Sequence, residues 1–369
     1  MPPEPTMYEM MWNPTVYPFW IGMSLFLGLL WGSFFNVAIY RLPMGMSVNR
    51  PRRSFCFGCG TQLGVLENIP VLSLLFQKAR CRHCNARVSP RYAVVELLTA
   101  ALFVIIFMAA NPPEATHFAV ATIWYWAFAG LLIIGTFTDF DHWIIPDEVT
   151  IGGTVAALIF ALIIGIVDRQ SILTAAGPFP ALRAVAGGSW VDYVEVLIIG
   201  STQFIPKLTP MWWEGPANAL LGAMFGPALL YGIGEFGRIL FRKDAMGFGD
   251  VKLFALIGAT LGPVNCLVVL MISAMFGSVA GIIPMILAKF RSRTETVLMR
   301  GRDLPAAPSD PDMDVVDPQE KFLELMKDYV PPNAPHHLPY GPWIALAALI
   351  VLIFSTQVRT GLQAMLSPV

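Results

Sequence analysis

Hydrophobic residues in this chain gather into runs, and the polar residues fall between them. Apolar windows lie at about 18–40, 93–110, 118–138, 149–167, 217–237, 251–267, 269–289 and 342–357. A bilayer core asks for roughly 20 such residues per helix, and backbone groups in lipid are satisfied internally by helices. The pattern therefore predicts an all-α polytopic membrane protein of about eight transmembrane helices. The sixth and seventh windows divide one long run, in which Gly262-Pro263 marks either a turn or a kink. Only Glu4 and Glu9, and no Lys or Arg, precede the first window. It reads as a retained helix rather than a cleaved signal peptide, which wants a basic leader.

Loop charges set the orientation. Nine basic residues (Arg41, Arg50, Arg52, Arg53, Lys78, Arg80, Arg82, Arg87 and Arg91) face one acid, Glu67, in the first loop. By the positive-inside rule this loop is cytoplasmic and the N-terminus lies outside. Counting onward puts 139–148, 238–250 and 290–341 inside, and Arg238, Arg242 and Lys243 agree with that count. Three regions follow: a first helix in 1–40, a cytoplasmic loop in 41–92, and a transmembrane core in 93–369. Two long loops interrupt the core. Residues 168–216 lie outside and hold one short apolar piece at 194–199, read as interfacial. Residues 290–341 lie inside and are rich in Pro and Asp, with a short amphipathic stretch at 319–329. Both read as tolerated insertions.

Composition agrees with the runs: 56% of residues are hydrophobic and 13% charged, and the mean hydropathy is +0.62. An ordinary soluble domain is excluded. With a net charge of −1 and no basic tail, a nucleic-acid partner is not expected, and the lipid bilayer is.

Against this background a carboxylate at a membrane boundary is conspicuous, because it is costly there and marks a functional site by default. Asp250 in Gly247-Phe248-Gly249-Asp250 stands at the head of an apolar run, and Asp139 in Thr138-Asp139-Phe140-Asp141-His142 at the tail of another. The loop count places both at the cytoplasmic mouth. Two close carboxylates share a proton. The ionised one then takes a proton from water while the other polarises a scissile carbonyl, which is aspartic-peptidase chemistry without a catalytic metal. Gly247 and Gly249 are expected to supply positive φ and clearance for an extended substrate. The bland alternative for Asp250 is a helix N-cap. Asp147 and Lys252 are assigned to active-site support, although Asp147 after Pro146 reads first as a cap of the fourth helix. Asp141, two residues from Asp139, points elsewhere on a helix, and His142 reads as an interfacial residue.

Cys56-x-x-Cys59 and Cys81-x-x-Cys84 enclose 21 residues, slightly more than the usual ribbon spacing. Four thiolates make a closed tetrahedral site, so the expected cofactor is structural Zn²⁺ in a zinc-ribbon-like loop. The rival readings are an empty reduced loop and a redox pair. His83 reads as a spectator, and Cys266, in an apolar run, as a small buried hydrophobe. Asn36 and Glu96 are polar residues inside apolar runs, for which helix–helix hydrogen bonding is the simplest reading.

Taken together, these motifs resemble the type IV prepilin peptidase (leader peptidase) family. The resemblance rests on Gly32-Ser33-Phe34-Phe35-Asn36-Val37 running to Arg41-Leu42-Pro43, and on the paired cysteines with Glu67-Asn68-Ile69-Pro70 between them. It continues through Arg91-Tyr92 leading to Val95-Glu96-Leu97, Asp139-x-Asp141 with Ile145-Pro146-Asp147, and Gly247-Phe248-Gly249-Asp250-Val251-Lys252-Leu253. A late Pro339-Tyr340-Gly341-Pro342 completes the series. The resemblance implies an inner-membrane aspartic peptidase that removes the basic leader of type IV prepilins or pseudopilins on the cytoplasmic side. It also implies methylation of the new N-terminus with S-adenosyl-L-methionine, tied to the cysteine loop, with Asp139 and Asp250 matching the catalytic aspartates. Two departures stand out: Ala79 precedes Arg80-Cys81 where the family commonly has glycine, and Ala245 stands where glycine is frequent. Two rival functions differ in kind. One is another intramembrane Gly-x-Gly-Asp protease, and the other a non-enzymatic transport or assembly protein whose carboxylates relay protons.

Overall fold

The computed structural model describes residues 15–49, 54, 56, 59–64, 71, 80–110, 120–167, 213–242, 247–290 and 339–366. The interiors of both long loops, with the stretches 194–199 and 319–329, lie outside the described residues. So do Glu67-Asn68-Ile69-Pro70, Lys78-Ala79 and Ala245.

Eight α-helices make up the described fold: α1 (Tyr17–Arg41), α2 (Arg91–Ala110), α3 (Ala121–His142), α4 (Gly153–Val167), α5 (Glu214–Phe241), α6 (Phe248–Leu261), α7 (Pro263–Phe290) and α8 (Gly341–Leu366). A single π turn, Glu148–Gly152, leads into α4. Five helices, α1, α2, α3, α5 and α7, are long and apolar enough to cross a bilayer; α4 with its π turn and the apolar part of α8 are shorter. The protein is a multi-pass membrane protein. The long sixth-to-seventh run resolves into two helices. Gly262, at φ 84°, breaks it, and Pro263, which has no N–H to donate, opens α7. Of the two readings of Gly262-Pro263 the turn holds, about six residues before the window edge, leaving α6 with 14 residues. That is about 21 Å of helix, too short to cross the hydrocarbon unaided.

Close approach is built from small residues. Gly28 and Gly32 of α1 lie directly on α2, where a Cβ on Gly28 would fall 2.5 Å from the Ala100 Cα. Gly222 of α5 meets Gly258 of α6 backbone to backbone, and Gly226 lies one turn further along, against the Phe254 carbonyl. With little hydrophobic drive between helices in lipid, such contact is a main source of cohesion.

The centre of the bundle is α3. Two-thirds of its apolar window is buried by protein, against 17–33% for α1, α5 and α7. Phe128 and Leu132 of α3, Phe254 and Ile257 of α6 and Ile344 of α8 belong to one buried core. The three helices that meet there all end or begin at the same level, and the site lies there.

Candidate active site

Asp139 sits in the last turn of α3, where Trp143 in left-handed conformation ends the helix by donating its N–H to the Asp139 carbonyl (3.0 Å). The carboxylate is 7% exposed, and its Oδ2 is buried without a hydrogen-bond partner among the described residues. Asp250 is the third residue of α6 and 9% exposed. Although 250 − 139 = 111 positions separate them, the charge of Asp139 acts on Asp250. Two buried acids from different helices thus lie near one another at one end of the bundle.

Ile145 packs between Gly249, next to Asp250, and Gly341, which lies against Asp139. It is 7% exposed; it lies 3.6 Å from where a Gly249 side chain would begin and 3.1 Å from the corresponding point on Gly341. Gly341 opens α8, and its amide points to the Asp139 carboxylate. A Cβ there would fall 2.7 Å from Asp139 Oδ2. Tyr340 hydrogen-bonds Ser273 of α7 (2.9 Å), and the charge of Asp250 acts on it. The sequence reading placed Pro339-Tyr340-Gly341-Pro342 in the family pattern but gave it no part in the site. Its signal was a turn-forming glycine between two prolines, at the edge of an apolar run.

Three expectations need correction. Gly247 does not adopt positive φ: it is the N-cap of α6 at φ −72°, ψ 140°, and Gly249 lies within the helix. Extended and helical backbone suit any residue, so clearance is the remaining argument for these glycines. Asp250 does not cap α6; it lies inside the first turn, where the positive end of the helix dipole favours an acid. Asp147 makes no side-chain cap either. Its carboxylate instead takes the Lys252 ammonium at 2.6 Å, and that ammonium lies over the Phe248 ring. The two support residues therefore meet each other, at the mouth rather than inside. Asp141 points away, as expected, and pairs with Arg91 (2.5 Å).

Asn36 Nδ2 donates to the Tyr92 carbonyl (3.0 Å), joining α1 to α2 as a helix–helix bond. Glu96, 7% exposed, does something the sequence did not show: its Oε2 accepts the Val71 N–H at 2.7 Å. Val71 belongs to the cysteine loop, so a buried membrane-helix carboxylate ties that loop down. Cys266 is fully buried, as expected.

In the loop the four sulfurs of Cys56, Cys59, Cys81 and Cys84 lie within 4.8 Å of one another. Both halves use the same device. Gly60 N–H donates to the Cys56 carbonyl (2.8 Å) and Asn85 N–H to the Cys81 carbonyl (3.0 Å), each from a left-handed residue directly after the second cysteine. Sulfurs on a tetrahedral zinc at ~2.3 Å stand about 3.8 Å apart, and Cys56 and Cys84 are 3.7 Å apart. Hydrogen bonding with Thr61 pulls the Cys59 thiol down to about 6, and the Cys84 and His83 amides lower Cys81. Cys84 is raised: the Ala86 amide pulls it down, but burial and its bonds with Cys59 and Cys81 outweigh that. The four sulfurs are spaced to hold a metal ion, and the donor set fits Zn²⁺. His83 contributes its backbone N–H to Cys81 Sγ (3.4 Å).

Residues 26–110 match the bacterial peptidase A24 N-terminal domain, and residues 126–282 the type IV leader peptidase family. A prepilin leader peptidase/N-methyltransferase of Myxococcus xanthus is 31% identical over 364 residues, 92% of this chain and 91% of the relative. The chain belongs to the type IV leader peptidase family. Similar proteins of the same description occur in Klebsiella pneumoniae, 34% identical over 67% of this chain and 87% of the relative, and in Aeromonas salmonicida, 30% identical over 71% and 81%. No solved structure matches. As a leader peptidase the chain is an enzyme, and the reading of a carboxylate-bearing transporter falls. One family match spans both aspartates and the other all four cysteines, while Tyr340 and Gly341 lie beyond either.

Proposed function

We propose that this membrane peptidase removes the N-terminal leader of type IV prepilins or pseudopilins, with Asp139 and Asp250 as its catalytic pair. The observation that carries the reading is the burial of both carboxylates at one end of the bundle, near enough for one to act on the other, with one oxygen of Asp139 that no described residue hydrogen-bonds. Neither acid has a basic partner among the contacts described, so a shared proton is the economical way to hold both in a protein interior.

The chemistry follows from that proton. The ionised carboxylate accepts a proton from water as the water oxygen bonds to the scissile carbonyl carbon. The protonated one gives its proton to the carbonyl oxygen, forming a neutral tetrahedral intermediate. Collapse breaks the C–N bond: the leaving amine takes a proton from the first carboxylic acid, a hydroxyl of the intermediate returns its proton to the second carboxylate as the carbonyl re-forms, and the pair regains its starting state. No metal enters any step. Ile145 and the start of α8 restrict water on the inner side.

The basic first loop supports a cytoplasmic site in an inner membrane, with the N-terminus outside. A prepilin keeps its apolar helix in the bilayer and presents its basic leader to the cytoplasm, so its scissile bond arrives at the level of the pair. The loop 41–92, with structural zinc on Cys56, Cys59, Cys81 and Cys84, is the region we assign to N-methylation. S-adenosyl-L-methionine supplies the methyl group when bound. The relatives' names carry this second activity, and residues 93–369 carry the first. Lys252 and Asp147 support the mouth, and Gly247 and Gly249 leave room for substrate beside Asp250.

The test uses membranes holding the full chain, a type IV prepilin, and S-adenosyl-L-methionine present or absent. Mass spectrometry then reads leader loss and methyl addition separately. Asp139→Asn and Asp250→Asn are each expected to abolish leader loss. Substantial cleavage by either variant overturns the pair.

A further inference from the structure

We propose that Tyr340 and Gly341, at the start of α8, are positioning residues that hold the Asp139 carboxylate in place from the far end of the chain. This rests on the reading of Asp139 as catalytic. Gly341 is the part that touches: a Cβ there would lie 2.7 Å from Asp139 Oδ2, 3.3 Å from its Cγ and 3.1 Å from Ile145 Cδ1. Real Cβ atoms do not approach that closely. The carboxylate is 7% exposed and Ile145 is 7% exposed, so neither has free space to retreat into. The absence of a side chain at 341 therefore fixes where the carboxylate stands.

Tyr340 is the part that anchors. Its hydroxyl lies 2.9 Å from Ser273 Oγ. Ser273, fully buried on α7, donates its one hydroxyl proton to the Leu270 carbonyl (3.0 Å). Tyr340 is then the donor in the pair, and its proton is committed to Ser273 rather than to substrate. The ring of Tyr340 lies on Gly277, where a Cβ would meet Cε2 at 2.9 Å. Its carbonyl accepts the Trp343 and Ile344 amides (3.0 and 3.2 Å) and so starts α8. One residue thus fastens to α7 while the next bears on the aspartate of α3. The charge of Asp250 also acts on Tyr340, which places this turn beside both acids.

A displaced catalytic group costs turnover rather than affinity, and a 1 Å misplacement is worth on the order of 100-fold. Gly341→Ala is therefore expected to lower kcat for leader cleavage about 100-fold while KM stays within about twofold. Tyr340→Phe and Ser273→Ala each remove the same hydrogen bond and are expected to lower kcat about fivefold to tenfold. The double variant should be no worse than either single one, because the two residues share one interaction.

The experiment measures kcat and KM for a prepilin with the full chain in membranes, alongside Asp139→Asn. Gly341→Ala that raises KM at unchanged kcat, or leaves both unchanged, overturns the proposal. If Gly341→Ala does not accumulate, the hydroxyl pair decides: losses that fail to add support the proposal, and neutral or additive effects overturn it. An active Asp139→Asn variant sinks the reading of the aspartates. An inactive one beside a wild-type Gly341→Ala sinks the positioning role alone.

Discussion

The buried aspartates and the cysteine loop are the two candidate centres of this chain, and they are built in opposite ways. The loop draws four sulfurs from 29 residues, Cys56 through Cys84, and Cys59 and Cys84 are exposed. Local turns shape each half and bring the sulfurs into a donor set that fits a cation. The pair draws one acid from the end of α3 and one from the start of α6, with α8 closing over them, in the most buried part of the bundle. Close helix packing gathers the aspartates, whereas local turns gather the cysteines into a set that fits zinc. The difference teaches that damage to one centre should leave the other standing.

The strongest way to break that claim is to remove one carboxylate. Asp139→Asn or Asp250→Asn is expected to lower leader cleavage by about 10³-fold or more, the worth of a general acid or base, while zinc measured by elemental analysis stays bound. Loss of zinc in either variant would mean that the centres share a folding unit. The converse follows in size. Chelation, or Cys56→Ser with Cys81→Ser, should empty the loop of zinc and abolish methyl addition, with most leader cleavage surviving. Equal loss of both activities would show that the loop supports the bundle.

Glu96 is the bond between the two regions and sharpens the comparison further. Its carboxylate accepts the Val71 N–H at 2.7 Å from a buried position on α2. An intramolecular hydrogen bond is worth about 0.5–1.5 kcal/mol, up to about tenfold in an equilibrium. Glu96→Ala should therefore release the loop and raise trypsin cutting at Arg80, Arg82 and Arg87 about tenfold, measured by limited proteolysis, with peptidase turnover unchanged. Unchanged proteolysis would mean that the cysteine site holds the loop without this tether.

Legibility follows the same division. The helices were readable because hydrophobic runs in a membrane chain have one use, and the cysteine site because its ligands are near neighbours in sequence. Asp139 and Asp250 were readable as single costly residues. Their pairing at one membrane face was legible from the loop count, but how α8 packs against Asp139 was not, since it depends on how α3, α6 and α8 stack. The role of Gly341 was hidden for the same reason: it is defined by an atom 202 residues earlier, 341 − 139. Gly247 misled because glycine before a helix suggests positive φ, whereas the chain enters α6 from an ordinary extended N-cap. Asp147 misled because a carboxylate at a helix start suggests a cap, and Lys252, 105 residues away, competes for it.

That ion pair gives the smallest expected effect and tests where the aspartate site stops. Asp147 is 59% exposed and Lys252 27%, so water and salt screen much of their attraction. Exposed pairs contribute about 0.2–1 kcal/mol, which caps the loss at roughly fivefold if all of it is felt in kcat/KM. Lys252→Met and Asp147→Asn should each fall within that limit, and the reversed pair Asp147→Lys with Lys252→Asp should recover part of the loss. A reversed pair that recovers nothing, beside singles that lose 100-fold, would place Lys252 against the substrate itself. The site would then extend from the buried acids through the mouth, and its outer edge would be the Lys252 ammonium over the Phe248 ring.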